Sequence, residues 1–110
     1  MASLVIIAGP ARGQRFDLRE HTVIIGRDES CAIRIPDERV SRRHLQVGYD
    51  SRGDRHFALD VGSENGVTVN GIRLQRGSLQ SLDSGDEIRI GRSSLRYVWH
   101  GTPPSVGKDA

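Results

Sequence analysis

Turn-forming residues recur along this chain at a spacing that excludes long helices. Before position 72, a glycine, a proline or an Asn-Gly pair interrupts every window of about 12 residues, and glycines at positions 77, 85 and 91 continue the pattern. The runs between these interruptions are short and rich in β-branched residues. The sequence therefore predicts many short strands joined by tight turns, with no amphipathic helix.

Within these runs, apolar and polar residues alternate with the period of two that is typical of a half-buried strand. Leu45, Val47 and Tyr49, for example, fall on one face of their run. The pair Asn70-Gly71 is the strongest two-residue hairpin signal in the chain. About ten or eleven such runs follow one another at even spacing, which predicts an all-β fold, an antiparallel β-sandwich or barrel.

The size and charge of the chain narrow the classes of function. Its 110 residues suffice for one domain with a modest core. Of the 16 basic residues all but one are arginine, and the 14 acidic residues are interspersed with them, so the net charge is only +2. The sequence has neither the basic stripe of a nucleic-acid binder nor an apolar run of the roughly 20 residues that span a bilayer. We therefore expect no binding to nucleic acid or membrane.

The cysteine content bears on the cellular location. Cys31 is the only cysteine, so the chain cannot form an internal disulfide. Its neighbours favour a small packed side chain near the start of a strand. We predict a reducing compartment, the cytoplasm.

The composition changes after Trp99. Residues 100–110 contain glycines, two adjacent prolines and polar residues, with almost nothing apolar. We therefore predict a domain over residues 1–99 and a flexible tail or linker over residues 100–110. Because a linker normally leads to further structure, we also expect the chain to be a fragment of a longer protein.

Three segments between the predicted strands carry arginine, serine or asparagine beside a short apolar run. Gly26-Arg27 follows a β-branched run, Ser41-Arg42-Arg43-His44 precedes a predicted strand, and residues 62–66 end in Asn65-Gly66. The strands of a sheet protein hold such loops at one end. Guanidinium, hydroxyl and amide donors that converge from three loops suit a phosphate group on a peptide.

Each segment also has a structural or regulatory interpretation. Arg27 alone fits a surface arginine at a turn, and Asn65-Gly66 fits a tight turn that still exposes its side chains. Gly26 is expected to allow a close approach that a side chain would block. For His44 we favour a ring that points inward and holds its loop by hydrogen bonds. The segment Arg39-Val40-Ser41 also fits a phosphoacceptor site for a basic-directed kinase.

No segment carries the signature of an enzyme. The four histidines, at positions 21, 44, 56 and 100, lack the spacing of metal ligands, and no nucleophile lies in a recognisable elbow. Residues 9–13 lack the Gly-Lys-Ser/Thr sequence and the following helix of a nucleotide-binding loop. We therefore predict no catalytic activity, no metal site and no cofactor.

Taken in order, the loop motifs resemble those of the forkhead-associated (FHA) domain family. The motifs that carry the resemblance are Gly26-Arg27, Ser41-Arg42-Arg43-His44, Asn65-Gly66 and Asn70-Gly71. The opening segment, residues 9–16, is also similar to that of many bacterial members. The resemblance covers about residues 3 to 99, and the ordered set of motifs is specific.

This resemblance implies both a fold and a function. The implied fold is an eleven-stranded antiparallel β-sandwich of the FHA/SMAD-like type, with its ligand loops at one end. The implied function is recognition of phosphothreonine in an extended peptide, without catalysis, in phosphorylation-dependent signalling. The partner would be a phosphothreonine-containing protein or peptide, such as a kinase substrate or a segment of the same longer chain.

The resemblance also implies roles for individual residues. Arg27 and Ser41 would contact the phosphate or the phosphoresidue, and Arg42 would add a contact to phosphate or peptide. Asn65 would hold the peptide backbone. Five further residues would shape and brace the loops: Gly26, His44, Gly66, Asn70 and Gly71.

Two residues depart from the family pattern. Glu64 belongs to the phosphopeptide-binding set by its position before Asn65, where the family often has a neutral or basic residue that reaches the phosphate. Because a carboxylate repels a dianion, we expect Glu64 to point away or to pair with an arginine such as Arg42. Val67 replaces a common threonine, a change that a strand tolerates. Glu64 keeps open an alternative function as a phosphorylation-independent interaction or dimerisation domain.

Overall fold

The computed structural model describes residues 1–101, and all regular secondary structure in that range is β-strand. The prediction of an all-β fold with about eleven short strands is confirmed. The tail prediction falls largely on residues 102–110, which lie outside the described residues. The strands are β1 (Ala2–Ala8), β2 (Arg15–Leu18), β3 (Val23–Gly26), β4 (Ile33–Arg34), β5 (Leu45–Asp50), β6 (Arg55–Asp60), β7 (Val67–Val69), β8 (Ile72–Arg73), β9 (Gln80–Ser81), β10 (Glu87–Ile90) and β11 (Ser93–Trp99).

The strands form the two sheets of a sandwich. The six-stranded sheet has the order β2-β1-β11-β10-β7-β8, and the five-stranded sheet has the order β4-β3-β5-β6-β9. Adjacent strands are antiparallel except β3 and β4, which are parallel. Parallel strands are usually joined by a long crossover. Here a short loop suffices, because it brings Ile33 back beside Ile25.

Strand alternation places the hydrophobic core between the sheets. In β10, Ile88 and Ile90 are fully buried while Arg89 between them is exposed. Leu45 and Val47 of β5 are also fully buried and contribute from the other sheet. Burying a side chain of this size stabilises a fold by about 1.5–3 kcal/mol relative to leaving it exposed. The alternation that predicts the strands is thus the pattern that builds the core.

The register of the strands decides which loops meet. Leu45 at the start of β5 pairs with Ile25 in β3 and with Asp60 at the end of β6. The loops at residues 27–32, 35–44 and 61–66 therefore emerge at one end of the sandwich, which we call the loop pole. The β7–β8 turn lies at the opposite pole, because β7 runs away from the loop pole.

The predicted hairpin turn at Asn70-Gly71 is present. Both residues have positive φ, 52° for Asn70 and 82° for Gly71, as a two-residue hairpin turn of this type requires. The Asn70 side chain donates to the carboxylate of Asp86 and accepts the backbone N–H of Glu87. The turn is thereby tied to the start of β10.

Away from the loop pole, a buried imidazole links the two sheets. The Nε2–H of His56 in β6 donates to the carbonyl of Arg19 at 3.2 Å, so the Nδ1 of the neutral ring is an acceptor. The hydroxyl of Tyr97 in β11 donates to this Nδ1 at 2.8 Å. Burial lowers the pKa of His56, which favours the neutral ring.

We expect Tyr97→Phe to lower the free energy of unfolding by about 1–3 kcal/mol, because the buried Nδ1 of His56 would lose its donor. Urea unfolding followed by tryptophan fluorescence measures this change. Tyr49→Phe is the matched control, since the Tyr49 hydroxyl donates to Asp54 in an exposed pair. Its effect should stay within about 0.5 kcal/mol. Equal effects of the two substitutions would contradict the role of the buried pair.

Candidate functional site

At the loop pole, hydrogen bonds join the three loops into one surface. The backbone N–H of Arg27 donates to the carbonyl of Ser41 at 3.0 Å. The backbone N–H of Glu64 donates to the Ser41 hydroxyl at 3.1 Å. The side-chain amide of Asn65 donates to the carbonyl of Arg39 at 2.8 Å. The structure thus brings Arg27, Ser41 and Asn65 together from three separate loops.

Gly26 permits two of these loops to pack closely. A Cβ atom at this position would lie 2.1 Å from the carbonyl oxygen of Arg42, so no other residue fits without a shift. The same carbonyl accepts the backbone N–H of Asp28 at 3.2 Å and the Sγ–H of the buried Cys31 at 3.1 Å. The predicted close approach at Gly26 is confirmed, and it fixes the backbone position of Arg42.

Arg27 is exposed, yet its guanidinium has a defined direction. Its Nε–H donates to the carbonyl of Val40 at 2.9 Å. This bond leaves the N–H groups of both terminal Nη atoms able to bind an anion. Arg27 takes part in none of the ion pairs found among residues 1–101, so no carboxylate competes for it.

A buried histidine positions the Ser41 hydroxyl. The Nδ1 of His44 accepts the backbone N–H of Ser41 at 2.9 Å. The proton of the neutral ring is therefore on Nε2, which donates to the carbonyl of Gly66 at 2.7 Å. His44 is fully buried, so its ring points inward as predicted. Because the Ser41 oxygen accepts from the backbone of Glu64, its own hydrogen remains able to donate to a ligand.

A buried carboxylate holds the loop that carries Asn65. Asp60 accepts the backbone N–H groups of Gly62 at 2.9 Å and Ser63 at 2.8 Å, and also the Ser63 hydroxyl at 3.1 Å. Burial raises the pKa of Asp60, but these hydrogen bonds outweigh it and hold the pKa below its usual value. The Ser63 oxygen in turn accepts the backbone N–H of Gly66 at 2.9 Å. Asn65 thus lies at the exposed tip of a braced loop.

Asp37 does the same for the β4–β5 loop. Its carboxylate accepts the backbone N–H groups of Arg39 at 2.9 Å and Arg92 at 2.8 Å, and the Ser93 hydroxyl at 2.9 Å. Burial raises the pKa of Asp37, and the hydrogen bonds again bring it below its usual value. The motifs did not single out Asp37 or Asp60, although aspartates that cap the backbone two residues on are a turn signal.

Exposed arginines surround the joined loops. The hydroxyl and backbone N–H of Ser30 lower the pKa of Asp28, and the positive charges of Arg42 and Arg43 lower it further. Neither Arg42 nor Glu64 belongs to an ion pair in the described part of the chain. The expected pairing of Glu64 with Arg42 is therefore not formed, and Glu64 contacts the site through its backbone.

Two residues of the predicted set lie elsewhere. Asn70 and Gly71 are predicted to brace the ligand loops, but the structure places them in the β7–β8 turn at the opposite pole. There Asn70 contacts Asp86 and Glu87. Their closeness to Asn65 along the chain does not translate into closeness in space, because an extended strand separates the two turns.

One cluster of serine, histidine and aspartate lies away from the loop pole. The Ser3 Oγ lies 2.9 Å from the Nε2 of His100 and donates to Asp17 at 3.0 Å. In a catalytic triad the carboxylate orients the imidazole, whereas here it accepts from a serine that is fully buried. Residues 1–101 also contain no group of three His, Cys, Asp or Glu side chains suited to a metal ion. Nor do they contain a helix that is long and apolar enough to cross a membrane.

Known proteins are similar to this chain in sequence. The family model described as the FHA domain matches residues 23–91. The FHA domain-containing protein FhaA of Mycobacterium tuberculosis is 41% identical over 88 residues, which make up 80% of this chain and 16% of FhaA. An oxoglutarate dehydrogenase inhibitor of Corynebacterium jeikeium is 40% identical over 97 residues, 88% of this chain and 64% of that protein. The chain thus spans less than two thirds of these curated relatives.

A solved structure agrees in fold as well. It comes from an analysis of phosphothreonine-dependent FHA domain interactions, and it matches with a TM-score of 0.79 at 35% sequence identity. The match covers 92% of this chain and 98% of the other. The segment matched by the family model includes all three loops of the loop pole.

We expect Gly26→Ala to lower the free energy of unfolding by about 1–3 kcal/mol, because the new methyl group would overlap the carbonyl of Arg42. Urea unfolding measures the change. Gly53→Ala is the matched control, since its Cβ would meet only the flexible side chain of Arg55, at 3.3 Å. An unchanged unfolding midpoint for Gly26→Ala would show that the loops can separate without cost.

Proposed function

The chain belongs to the FHA domain family, and from this premise we propose that it binds phosphothreonine in an extended peptide and thereby mediates phosphorylation-dependent protein–protein interaction. The observation that carries the proposal is the pair formed by Arg27 and Ser41. The backbone N–H of Arg27 is bonded to the carbonyl of Ser41, and both side chains keep donor hydrogens beyond those used in these bonds. A phosphate monoester carries about −1.5 to −2 charges at pH 7 and three acceptor oxygens, which match such donors.

The other site residues receive roles from their positions. Arg42 adds a second guanidinium to the phosphate or to the neighbouring peptide. Asn65 uses its side-chain amide on the peptide backbone, while its bond to the Arg39 carbonyl keeps the amide in place. Gly26, His44 and Gly66 act only through the loops that they shape.

The expected affinity is moderate and depends on the phosphate. Each charge-assisted hydrogen bond contributes about 1.5–3 kcal/mol. Two or three of them do not by themselves cover the cost of association, so contacts to the rest of the peptide must add to them. Together we expect a dissociation constant near the micromolar range, about −8 kcal/mol. The site is exposed, so added salt weakens the complex.

We propose a binding role without catalysis, in line with the relative that is named an inhibitor. The partner is a phosphothreonine-containing protein, such as a kinase substrate or a segment of the same longer chain. We further propose that the module comprises residues 1–99 and acts in the cytoplasm, as the single cysteine favours.

Arg27→Ala is expected to abolish measurable binding while leaving the fold intact. The substitution removes at least one charge-assisted bond, about 1.5–3 kcal/mol, from a complex that is only micromolar. A phosphothreonine peptide library identifies a binding peptide, and titration calorimetry then measures it with its unphosphorylated form as ligand control.

Arg52→Ala is the protein control for this experiment. The Arg52 side chain is 93% exposed, in the turn between β5 and β6 at the opposite pole. Its removal should leave the affinity unchanged. If Arg27→Ala bound the phosphopeptide as well as wild type, the assigned site would be wrong.

Glu64→Ala should leave the affinity unchanged or raise it, because only the backbone of Glu64 contacts Ser41 and the carboxylate opposes the phosphate. Calorimetry with the same phosphopeptide measures this, and Glu64→Gln separates the charge from the size of the side chain. A clear loss in both variants would mean that the carboxylate holds an arginine in place.

Equal binding of the phosphorylated and the unphosphorylated peptide would support the alternative, a phosphorylation-independent interaction domain.

A further inference from the structure

A groove on the side of the sandwich lies between two open sheet edges. β8 is the last strand of the six-stranded sheet, and β9 is the last strand of the five-stranded sheet. Every residue of these two strands is exposed. The groove has a volume of about 460 Å³. This volume falls in the range of pockets that bind ligands, and an open strand edge can pair with an extended peptide.

The lining of the groove includes two exposed hydrophobic side chains. Ile72 and Leu79 line it and are 73% and 62% exposed, although both are large hydrophobic side chains. Val69 and Leu74 also line it and are buried. Large hydrophobic side chains that remain exposed beside a groove are typical of an interaction surface.

One end of the groove adjoins the loop that carries Asn65. Arg73 lines the groove, and a Cβ atom on Gly66 would lie 2.8 Å from the Cζ of its guanidinium. Arg76, from the segment between β8 and β9, donates to the carbonyl of Ser63 at 2.9 Å. A peptide held at Asn65 can therefore continue into the groove without leaving the protein surface.

The other end of the groove is acidic. Asp83 and Asp86 line it, and Asp83 is paired with Arg55 at 2.7 Å. The oxygens of Asp86 accept from the Asn70 amide and from the backbone N–H of Asp83. Asp86 belongs to no ion pair within residues 1–101, so its charge is available to a cation. The groove thus complements an apolar side chain followed by a basic one.

We propose that this groove binds a second, extended segment of the same phosphorylated partner, in which an apolar side chain contacts Ile72 and Leu79 and a basic side chain pairs with Asp86. The inference rests on the proposed function, because continuity with the Asn65 loop is what identifies the occupant. It assigns part of the partner specificity to residues outside the three loops of the loop pole.

The test uses phosphothreonine peptides with about eight randomised residues on each side, which span about 26 Å when extended. On one side of the phosphothreonine, wild type is expected to select an apolar residue and then, further away, a basic one. The double variant Ile72→Ser/Leu79→Ser should lose the apolar preference but still require the phosphate. Both side chains are exposed, so the fold tolerates the change. Asp86→Asn should lose the basic preference alone.

Binding constants then separate the outcomes. A selected long peptide should bind wild type about tenfold more tightly than the same peptide truncated near the phosphothreonine, and the double variant should remove this advantage. Equal affinity of the long and the truncated peptide for wild type would overturn the proposal, as would an unchanged advantage in the double variant. If the double substitution changed the sedimentation of the free protein but not its peptide binding, the groove would contact a second copy of the chain. The proposal would then be wrong. Failure of every phosphothreonine peptide, long or short, would refute the proposed function itself.

Discussion

The imidazole of His44 holds together the loops on which the proposed site depends. One neutral ring accepts from the backbone of Ser41 and donates to the backbone of Gly66, so it spans two loops that are far apart in sequence. Because the ring is fully buried, losing either bond would leave an unsatisfied polar group in the interior, at a cost of about 1–3 kcal/mol. The position of the Ser41 hydroxyl relative to the Asn65 amide is therefore fixed, although neither residue lies in a regular strand.

At the loop pole, the buried acidic side chains brace the loops and the exposed arginines are available to a ligand. Asp37 and Asp60 are buried and satisfied by backbone N–H and hydroxyl donors. These carboxylates therefore need no arginine as partner, and Arg27 and Arg42 remain available to an anion. Loops that are already ordered in this way lose little conformational entropy on binding, so more of the interaction energy appears as affinity.

The loop motifs predicted the donor groups of the site better than the residues that brace the loops. Gly26 and His44 behave as their local sequence suggested. A close backbone approach favours glycine, and a buried ring that bonds two loops favours histidine. The motifs misplaced Asn70, which braces β10 instead of the ligand loops. They also passed over Asp60, since one aspartate at a strand end differs little from many others. The groove between β8 and β9 could not be predicted from the sequence, because Ile72 and Leu79 line one groove only when two sheet edges lie side by side.

The sequence alone determined the approximate number and bounds of the strands and the turns between them, because alternation and positive φ are properties of a few adjacent residues. It also determined which donors the loops carry. Only the tertiary structure decided which loops share a pole, that β3 and β4 run parallel, and which carbonyl His44 meets. The shared pole and the contact of His44 depend on contacts between segments that are distant along the chain, and the free energy of those contacts comes from the common core rather than from any local motif.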